Sequence, residues 1–437
     1  MARKTGGKEW DRTGVLGAIL EQVKLPRMAR IRQHFADNSL RDIAVCVREQ
    51  MARPEIAAMI RPGMSVAITA GSRGIANISL ILKEIVANVK ERGGRPFLFP
   101  AMGSHGGATG EGQRRLLEGY GITEQSVGAP IRATMETRVI GATDEGRPVH
   151  MDRFAAEADG IIVAARIKPH TAFHGAYESG LMKMMAIGMG KQKGAETCHA
   201  AGFGRFPGIV PGFGRIVLAK SNVLFGIGIV ENSLDQTCRI EAIPREAIER
   251  REPELLEEAR RLMPTIPFPE FDILVVDIIG KNHSGDGADP NITGTYCTPY
   301  ASGGPQIQRY VVLDVSEESH GNALGVGMAD ITTARLAAKA DYDAMYSNAL
   351  TNRVLNNIRM PMVMKSDRLA LQAALFTCID VDVAHPRIVR IANTSHVESF
   401  TVSEALLELV GQNPSLEVID PLRELVFNSD GNLPEFS

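Results

Sequence analysis

Three histidines and four lysines crowd into the stretch from Arg166 to His199. It begins Arg166-Ile167-Lys168-Pro169-His170-Thr171-Ala172-Phe173-His174-Gly175, continues Glu178-Ser179-Gly180-Leu181-Met182-Lys183 and closes on Glu196-Thr197-Cys198-His199. Imidazole titrates near working pH, which suits the transfer of a proton to and from a reacting group. His199 is the third histidine within thirty residues, suggestive of a metal ligand yet too widely spaced for a recognised metal motif. Two further loops carry chemistry-bearing types: Gly103-Ser104-His105-Gly106-Gly107, and Gly71-Ser72-Arg73-Gly74, whose guanidinium and free backbone N–H groups suit an anion. Taken singly these are weak signals, because a loop histidine is ordinarily solvated and Ser72-Arg73 also reads as a plain turn between strand and helix.

The neighbouring elements place these loops. Gly160 to Ala165 is a short apolar run that reads as a buried strand, so the His170 loop leaves a strand's carboxyl end. Ser65 to Thr69 and Arg95 to Met102 are further strands, followed by helices over 75–92 and 111–120. Successive strand–helix units predict a parallel sheet, whose carboxyl-end loops are where ligands bind. Residues 1–60 read as helical segments, for instance Leu40 to Met51, and 125–155 as an interrupted strand pattern. A strand pair over 219–230 and a charged helix over 241–262 follow. Pro264-Thr265-Ile266-Pro267-Phe268-Pro269 is a semi-rigid connector. Beyond it come a strand over 271–279, a glycine-rich loop over 280–291 with Lys281 and His283, strands over 309–315 and 388–391, and helices over 332–347 and 368–376. The expectation is an α/β protein of two α/β domains, 1–264 and 270–437, with a cleft between them. The loop over 280–291 lacks the alternating acidic ligands and terminal Glu of a calcium-binding EF-hand loop and reads as a cleft lining.

Composition narrows the function classes. With 437 residues, 44% hydrophobic, 23% charged and a net charge of −3, the chain suits a soluble globular protein with no general attraction to nucleic acid or anionic membranes. The five cysteines, Cys46, Cys198, Cys238, Cys297 and Cys378, form no C-x-x-C pair, which fits a reducing, cytoplasmic setting. Met1 to Trp10 is basic without a following apolar segment, so no secretory signal is expected, and no apolar run reaches the length of a membrane span.

With these residues in view, the chain resembles the lactate racemase family that carries a nickel-pincer nucleotide. The resemblance rests on Gly103-Ser104-His105, Pro169-His170, Lys183 and His199 in that order, with sixteen residues from Lys183 to His199. It implies His105 and His170 as opposed acid–base groups, Lys183 joined covalently to the cofactor, and His199 as the nickel ligand. The implied cofactor is pyridinium-3-thioamide-5-thiocarboxylic acid mononucleotide, with Ser72 and Arg73 beside it. The chain departs from the family in places. The interval from Pro169-His170 to Lys183 is three residues longer, which leaves His174 as an alternative to His170. Gly180-Leu181 stands for a glycine pair, Ala70 for an Asp, and Gly294-Thr295-Tyr296-Cys297 falls where the lactate enzymes have a Gln and a Lys.

The implied reaction suits the residue types. Removing the α-proton of a 2-hydroxy acid makes a carbanion beside a carboxylate, whereas hydride transfer to an electrophilic cofactor avoids it. The resemblance therefore implies a nickel-dependent isomerase, a racemase or epimerase of a 2-hydroxy acid; the departures point to an acid other than lactate, with Arg73, and Lys281 and His283 from the second domain, as the groups to receive it. It also implies separate cofactor maturation enzymes as partners, while a homo-oligomer is left open. The alternative is a non-catalytic protein of the same fold that binds a hydroxy acid or a nucleotide. A phosphate-handling nucleotide enzyme is disfavoured, because neither a Walker lysine–serine pair nor a G-x-G-x-x-G after a strand is present.

Overall fold

In chain order the strands are β1 (Met28–Gln33), β2 (Ser65–Ala70), β3 (Arg95–Pro100), β4 (Thr137–Ala142), β5 (Pro148–Asp152), β6 (Gly160–Arg166), β7 (Val223–Glu231) and β8 (Thr237–Pro244). They continue with β9 (Glu270–Ile279), β10 (Gln306–Val315), β11 (Ile331–Thr333), β12 (Met362–Met364), β13 (Ile388–Asn393), β14 (His396–Ser403) and β15 (Leu416–Arg423). The computed structural model describes residues 14–436. The reading of Met1 to Trp10 lies outside them.

Two large sheets carry most of the chain, and β4 and β5 pair in a separate two-stranded sheet. The first has the order β3-β2-β6-β7-β8, parallel except for the β7–β8 hairpin. Alternation along β6 explains why it is buried on both faces: Ile161, Val163 and Ala165 join one apolar cluster, and Ile162 and Ala164 join the other. The helix Ile78–Glu91 covers the second cluster with Ile78, Ile81, Leu82, Ile85, Val86 and Val89, the three-and-four spacing of an apolar stripe. From β2 the chain moves outward to β3 and then returns to β6 on β2's other side. Strand order thus reverses between β2 and β6, the place where open α/β sheets bind ligands.

The second sheet runs β12-β11-β10-β9-β13-β14-β1-β15, parallel from β12 to β13 and antiparallel beyond. Its order reverses between β9 and β13, so the loop leaving β9 is placed like those of the first sheet.

The α/β class is as expected, and the proline-rich connector does separate the strands of the first sheet from β9. The N-terminal stretch differs. Residues 28–33 form a strand, not a helix, and β1 lies between β14 and β15 of the second sheet. A single boundary at 264–270 therefore does not divide the two sheets. The signal was weak because β1 alternates Arg30 and Arg32 with small apolar residues, and its register is held by side chains far away in sequence. Arg30 Nε donates to Ser399 Oγ at 3.0 Å and Arg32 pairs with Glu417 at 3.4 Å. All five cysteines are unpaired. No helix among the described residues is long and apolar enough to cross a membrane.

Candidate functional site

Arg73, His105 and His170 lie in the loops that follow β2, β3 and β6, three adjacent strand ends. Lys183 and His199 follow on one irregular helical run, in which Leu181–Lys183 leads through the π-helical turn Met184–Gly188 to Lys191–His199. Such π turns are uncommon and occur often at functional sites.

The His105 loop is a tight coil. Gly106 has φ +64°, and a Cβ there would meet the backbone of Gly112 and Gln113 at 2.5 Å, so only glycine fits. His105 Nδ1 lies 2.6 Å from the Met102 carbonyl, which can only accept, so Nδ1 carries the proton and Nε2 keeps its lone pair. Burial, then Arg73, with Lys281 and Lys183 adding, lowers the His105 pKa to about 4 against the pull of Met102. By accessible area His105 and Arg73 are nonetheless exposed. Accessible area governs whether a solute can reach the ring, and crowding by protein atoms governs its desolvation; a ring open on one side has both.

His170 is half-buried and its backbone N–H donates to Glu178 Oε2 at 2.6 Å. Its ring packs on Phe173 and Phe203, with centroids 4.5 and 5.8 Å away, and His199 packs on the same Phe203 at 5.3 Å and on Phe206 at 5.1 Å. Burial, then Lys183, His199, Arg73 and His174, holds the His170 pKa well below its usual value. Burial, then Lys183 and Arg353, lowers that of His199 to about 4. Lys183 is itself brought down to about 8 by burial and Arg73, against the carboxylates of Glu178 and Asp286. The Lys183 charge acts on all three imidazoles, those of His105, His170 and His199.

His174 is placed differently. Its Nδ1 lies 3.2 Å from both Glu178 oxygens and its Nε2 3.0 Å from the Ser302 carbonyl, while its N–H donates to Tyr300 O at 2.9 Å. Both ring nitrogens face acceptors, which favours the cation, and the Glu178 hydrogen bond raises the His174 pKa. The ring bridges the two sheets' loops, and neither nitrogen is left for a substrate.

The loop leaving β9 contributes Lys281, whose Nζ donates to Gly285 O at 2.7 Å and whose pKa burial and Arg73 lower to about 7, against Asp286. A Cβ on Gly285 would stand 3.0 Å from Arg73 Nη2, so the two loops meet. His283 is not brought into this cluster. It faces Ser395 Oγ at 3.3 Å, and His396 is the charge that most affects it after burial. Ser72 shares the turn with Arg73, its carbonyl accepting the Tyr120 hydroxyl at 3.0 Å. The helix after that turn begins only at Ile78, and the Ala76 N–H already donates to Glu231 Oε1 at 2.6 Å. The protein's own carboxylate thus takes the place read from sequence as an anion seat.

The sequence reading missed what supports the site. Glu178, with no exposed surface, receives the N–H groups of His170 and Gly175, the His174 ring and the Arg260 guanidinium. Asn291 Nδ2 reaches His170 O at 3.4 Å, Thr298 Oγ1 donates to Ala172 O, and Lys168 pairs with Asp289 at 3.0 Å. A small hollow is lined by Asp286, Ala288, Pro290, Thr293, Cys297 and Tyr310 among others; no histidine lines it.

Two nitrogen atoms of this cluster have no hydrogen-bond partner among the described residues. His199 Nδ1 is buried and has no hydrogen bond among the described residues, although buried polar atoms are nearly always paired. Nor does any hydrogen bond to Lys183 Nζ occur among the described residues, and the shift toward about 8 gives that amine an appreciable uncharged fraction near neutral pH. An unpaired imidazole nitrogen near an activatable amine fits a group joined to a lysine and carrying a metal with one protein ligand. No cluster of three or more His, Cys, Asp or Glu side chains suited to a metal occurs among the described residues.

The fold and this cluster define an α/β protein that gathers imidazoles, an amine and two further cations at one set of strand ends. Residues 24–205 match the family model of the lactate racemase N-terminal domain. That stretch carries Arg73, His105, His170, His174, Lys183 and His199, whereas Lys281 and His283 lie beyond it. Among solved structures, the lactate racemase apoprotein from Thermoanaerobacterium thermosaccharolyticum is similar over 71% of this chain and 75% of that one, with 14% identity and a TM-score of 0.42. None of the curated proteins matches the chain.

Proposed function

We propose that this protein is a racemase or epimerase of a 2-hydroxy acid, working with a nickel-pincer nucleotide attached to Lys183 and ligated through His199, in a cleft between the two sheet-bearing parts. The observation that carries the reading is the unpartnered Nδ1 of His199 beside the activated amine of Lys183, within reach of His105 and His170. When bound, that cofactor supplies an electrophilic centre that accepts and returns the substrate's α-hydrogen as hydride. The chain's own residues do the rest. Arg73 and Lys281 hold the substrate carboxylate, which would be costly to bury unpaired. His105, with its bare Nε2, takes the hydroxyl proton. The loops around His170, Thr298 and Asn291 close over the substrate and exclude water.

Loading depends on separate maturation enzymes, and the unpaired cysteines favour a reducing, cytoplasmic setting. In place of the lactate enzymes' Gln and Lys, the second part offers Asn291 and Tyr296, whose hydroxyl donates to Asn291 Oδ1 at 3.0 Å. These polar groups suit a larger or more hydroxylated acid, such as a sugar acid, better than lactate. The test is a panel of single-enantiomer 2-hydroxy acids incubated with loaded enzyme and resolved by chiral chromatography. Turnover of a larger acid in preference to lactate is expected. Lactate as the best substrate would remove the substrate assignment, and no turnover by protein with nickel and adduct verified would overturn the racemase reading.

A further inference from the structure

His105 and His170 occupy matching positions after β3 and β6, yet the backbone treats their rings oppositely. At His105 the Nδ1 partner is a carbonyl, Met102 O at 2.6 Å. At His170 it is an N–H group, that of Ala172, which donates to Nδ1 at 3.0 Å. A carbonyl must receive a proton and an N–H must give one, so the two contacts demand different tautomers. We propose that the pair is one base and one fixed donor: His105 presents a bare Nε2, and His170 presents an Nε2–H that cannot serve as a proton acceptor.

The His170 turn is held on three sides. Glu178 Oε2 receives the His170 N–H at 2.6 Å, Thr298 Oγ1 donates to the Ala172 carbonyl, and Asn291 Nδ2 reaches the His170 carbonyl at 3.4 Å. These contacts fix the Ala172 N–H toward the ring, and the stacking on Phe173 and Phe203 opposes a ring flip. Moving the proton to Nδ1 would set two donors against each other in a buried turn, an unfavourable arrangement. In the second state of a two-base scheme His170 would need a lone pair at Nε2, and this backbone withholds it.

The inference deepens the racemase reading and rests on it for its chemical meaning. In the forward half-reaction the substrate O–H bond breaks and its proton forms a new N–H bond at His105 Nε2, while a bound pyridinium-class cofactor would supply the acceptor for the α-hydrogen as hydride. His170 Nε2–H donates to the substrate oxygen as it becomes a carbonyl, stabilising charge there without giving up its proton. In the reverse half-reaction the proton returns from His105. The same base thus serves both directions, and for inversion the 2-oxo acid must leave Arg73 and Lys281 and turn about its C=O axis, so that its oxygen again faces His105.

Two measurements test this. Full-length protein labelled with ¹⁵N-histidine, its signals assigned with His105→Gln and His170→Gln, is expected to show protonation at Nδ1 of His105 and at Nε2 of His170 in long-range ¹H–¹⁵N spectra near neutral pH. The same tautomer at both rings would overturn the proposal, whatever the activity. In loaded enzyme, His170→Ala is expected to lower kcat about 10²-fold, the scale of a removed donor. His170→Gln, which places an N–H at the same remove from the backbone but cannot exchange protons, is expected to recover most of that loss. His105→Gln should recover nothing over His105→Ala. Failure of Gln to rescue His170 better than His105 would also overturn it. If the tautomers are as stated but no hydroxy acid is turned over, the racemase reading falls and the assignment of the two rings stands.

Discussion

Lys191, with no exposed surface, donates to Gln113 Oε1 at 2.6 Å, and Gln113 donates in turn to the carbonyls of Gly103 and His105 at 2.9 and 3.2 Å. The same ammonium reaches Pro100 O at 2.7 Å, at the end of β3, and Asp152 at 3.6 Å. One buried cation therefore ties a strand end to the loop that carries His105. Burial outweighs attraction for both ion-pair partners, lowering Lys191 to about 8 and raising Asp152 to about 6.

Lys191→Met should destabilise the protein by about 3–5 kcal/mol, since removing one partner leaves the other buried and unmatched. Denaturant unfolding measures it. A loss under 1 kcal/mol would mean that Asp152 is readily neutralised and that the lysine is not what holds the loop.

A second buried carboxyl gives a pH signature. Glu252 Oε2 accepts the Met182 N–H at 2.8 Å at the start of the helical run bearing Lys183, while its Oε1 has no partner among the described residues. A Cβ on Gly180 would run into this carboxyl, which explains the glycine. Burial raises the Glu252 pKa to about 8, against the Met182 and Leu181 N–H groups. With the folded pKa above the unfolded one, the folded state binds the extra proton between them. That contribution is full at acid pH and is lost as pH rises through about 8. Glu252→Gln should therefore flatten the fall in Tm between about pH 5 and 8, an effect on the order of a few kcal/mol at most. Parallel Tm–pH curves for the two proteins would refute it.

Much of this arrangement was legible in the sequence because strand ends can be read from apolar runs. The segments 65–69, 95–102 and 160–165 put Arg73, His105 and His170 after parallel strands, and the shared helical run brought Lys183 and His199 to the same place. What escaped depends on pairing across long separations. Glu178 was visible only as one acid in a stretch, and nothing local shows that it collects four partners. His174 has the same type and exposure pattern as His170 in sequence, and only the loop carrying Ser302 and Tyr300, from beyond the connector, removes it from the substrate's reach. His283 sits two residues from Lys281, yet the turn aims it at Ser395.

Charge coupling across the two loops is open to a direct test. His105 lies at about 4 through burial, then Arg73, with Lys281 adding. Lys281, at about 7, is charged throughout the range in which His105 titrates. Lys281→Met removes a like charge and should move the His105 pKa upward, toward the ordinary value. NMR titration of the ring protons reads the shift without cofactor or turnover. An unmoved His105 would place Lys281 too far away to share a carboxylate with Arg73.

Lys183 and His199 are expected to fail in different ways when replaced. The Lys183 amine has no hydrogen-bond partner among the described residues and is lowered to about 8, so it can act as a nucleophile near neutral pH. Lys183→Ala should abolish both the adduct in the intact mass and activity, and Lys183→Arg should fail equally although it keeps the charge, because guanidinium remains protonated. His199 Nδ1 is buried and has no hydrogen-bond partner among the described residues. His199→Ala should keep the covalent adduct while nickel content falls, about 10-fold or more, since a ligand set that loses one donor holds metal more weakly. The measurements are intact mass and elemental analysis on protein produced with the maturation enzymes. Adduct on Lys183→Ala would place the tether elsewhere, and equal nickel in wild type and His199→Ala would remove His199 as the ligand. Loss of the adduct in both variants would mean that His199 positions the lysine rather than the metal.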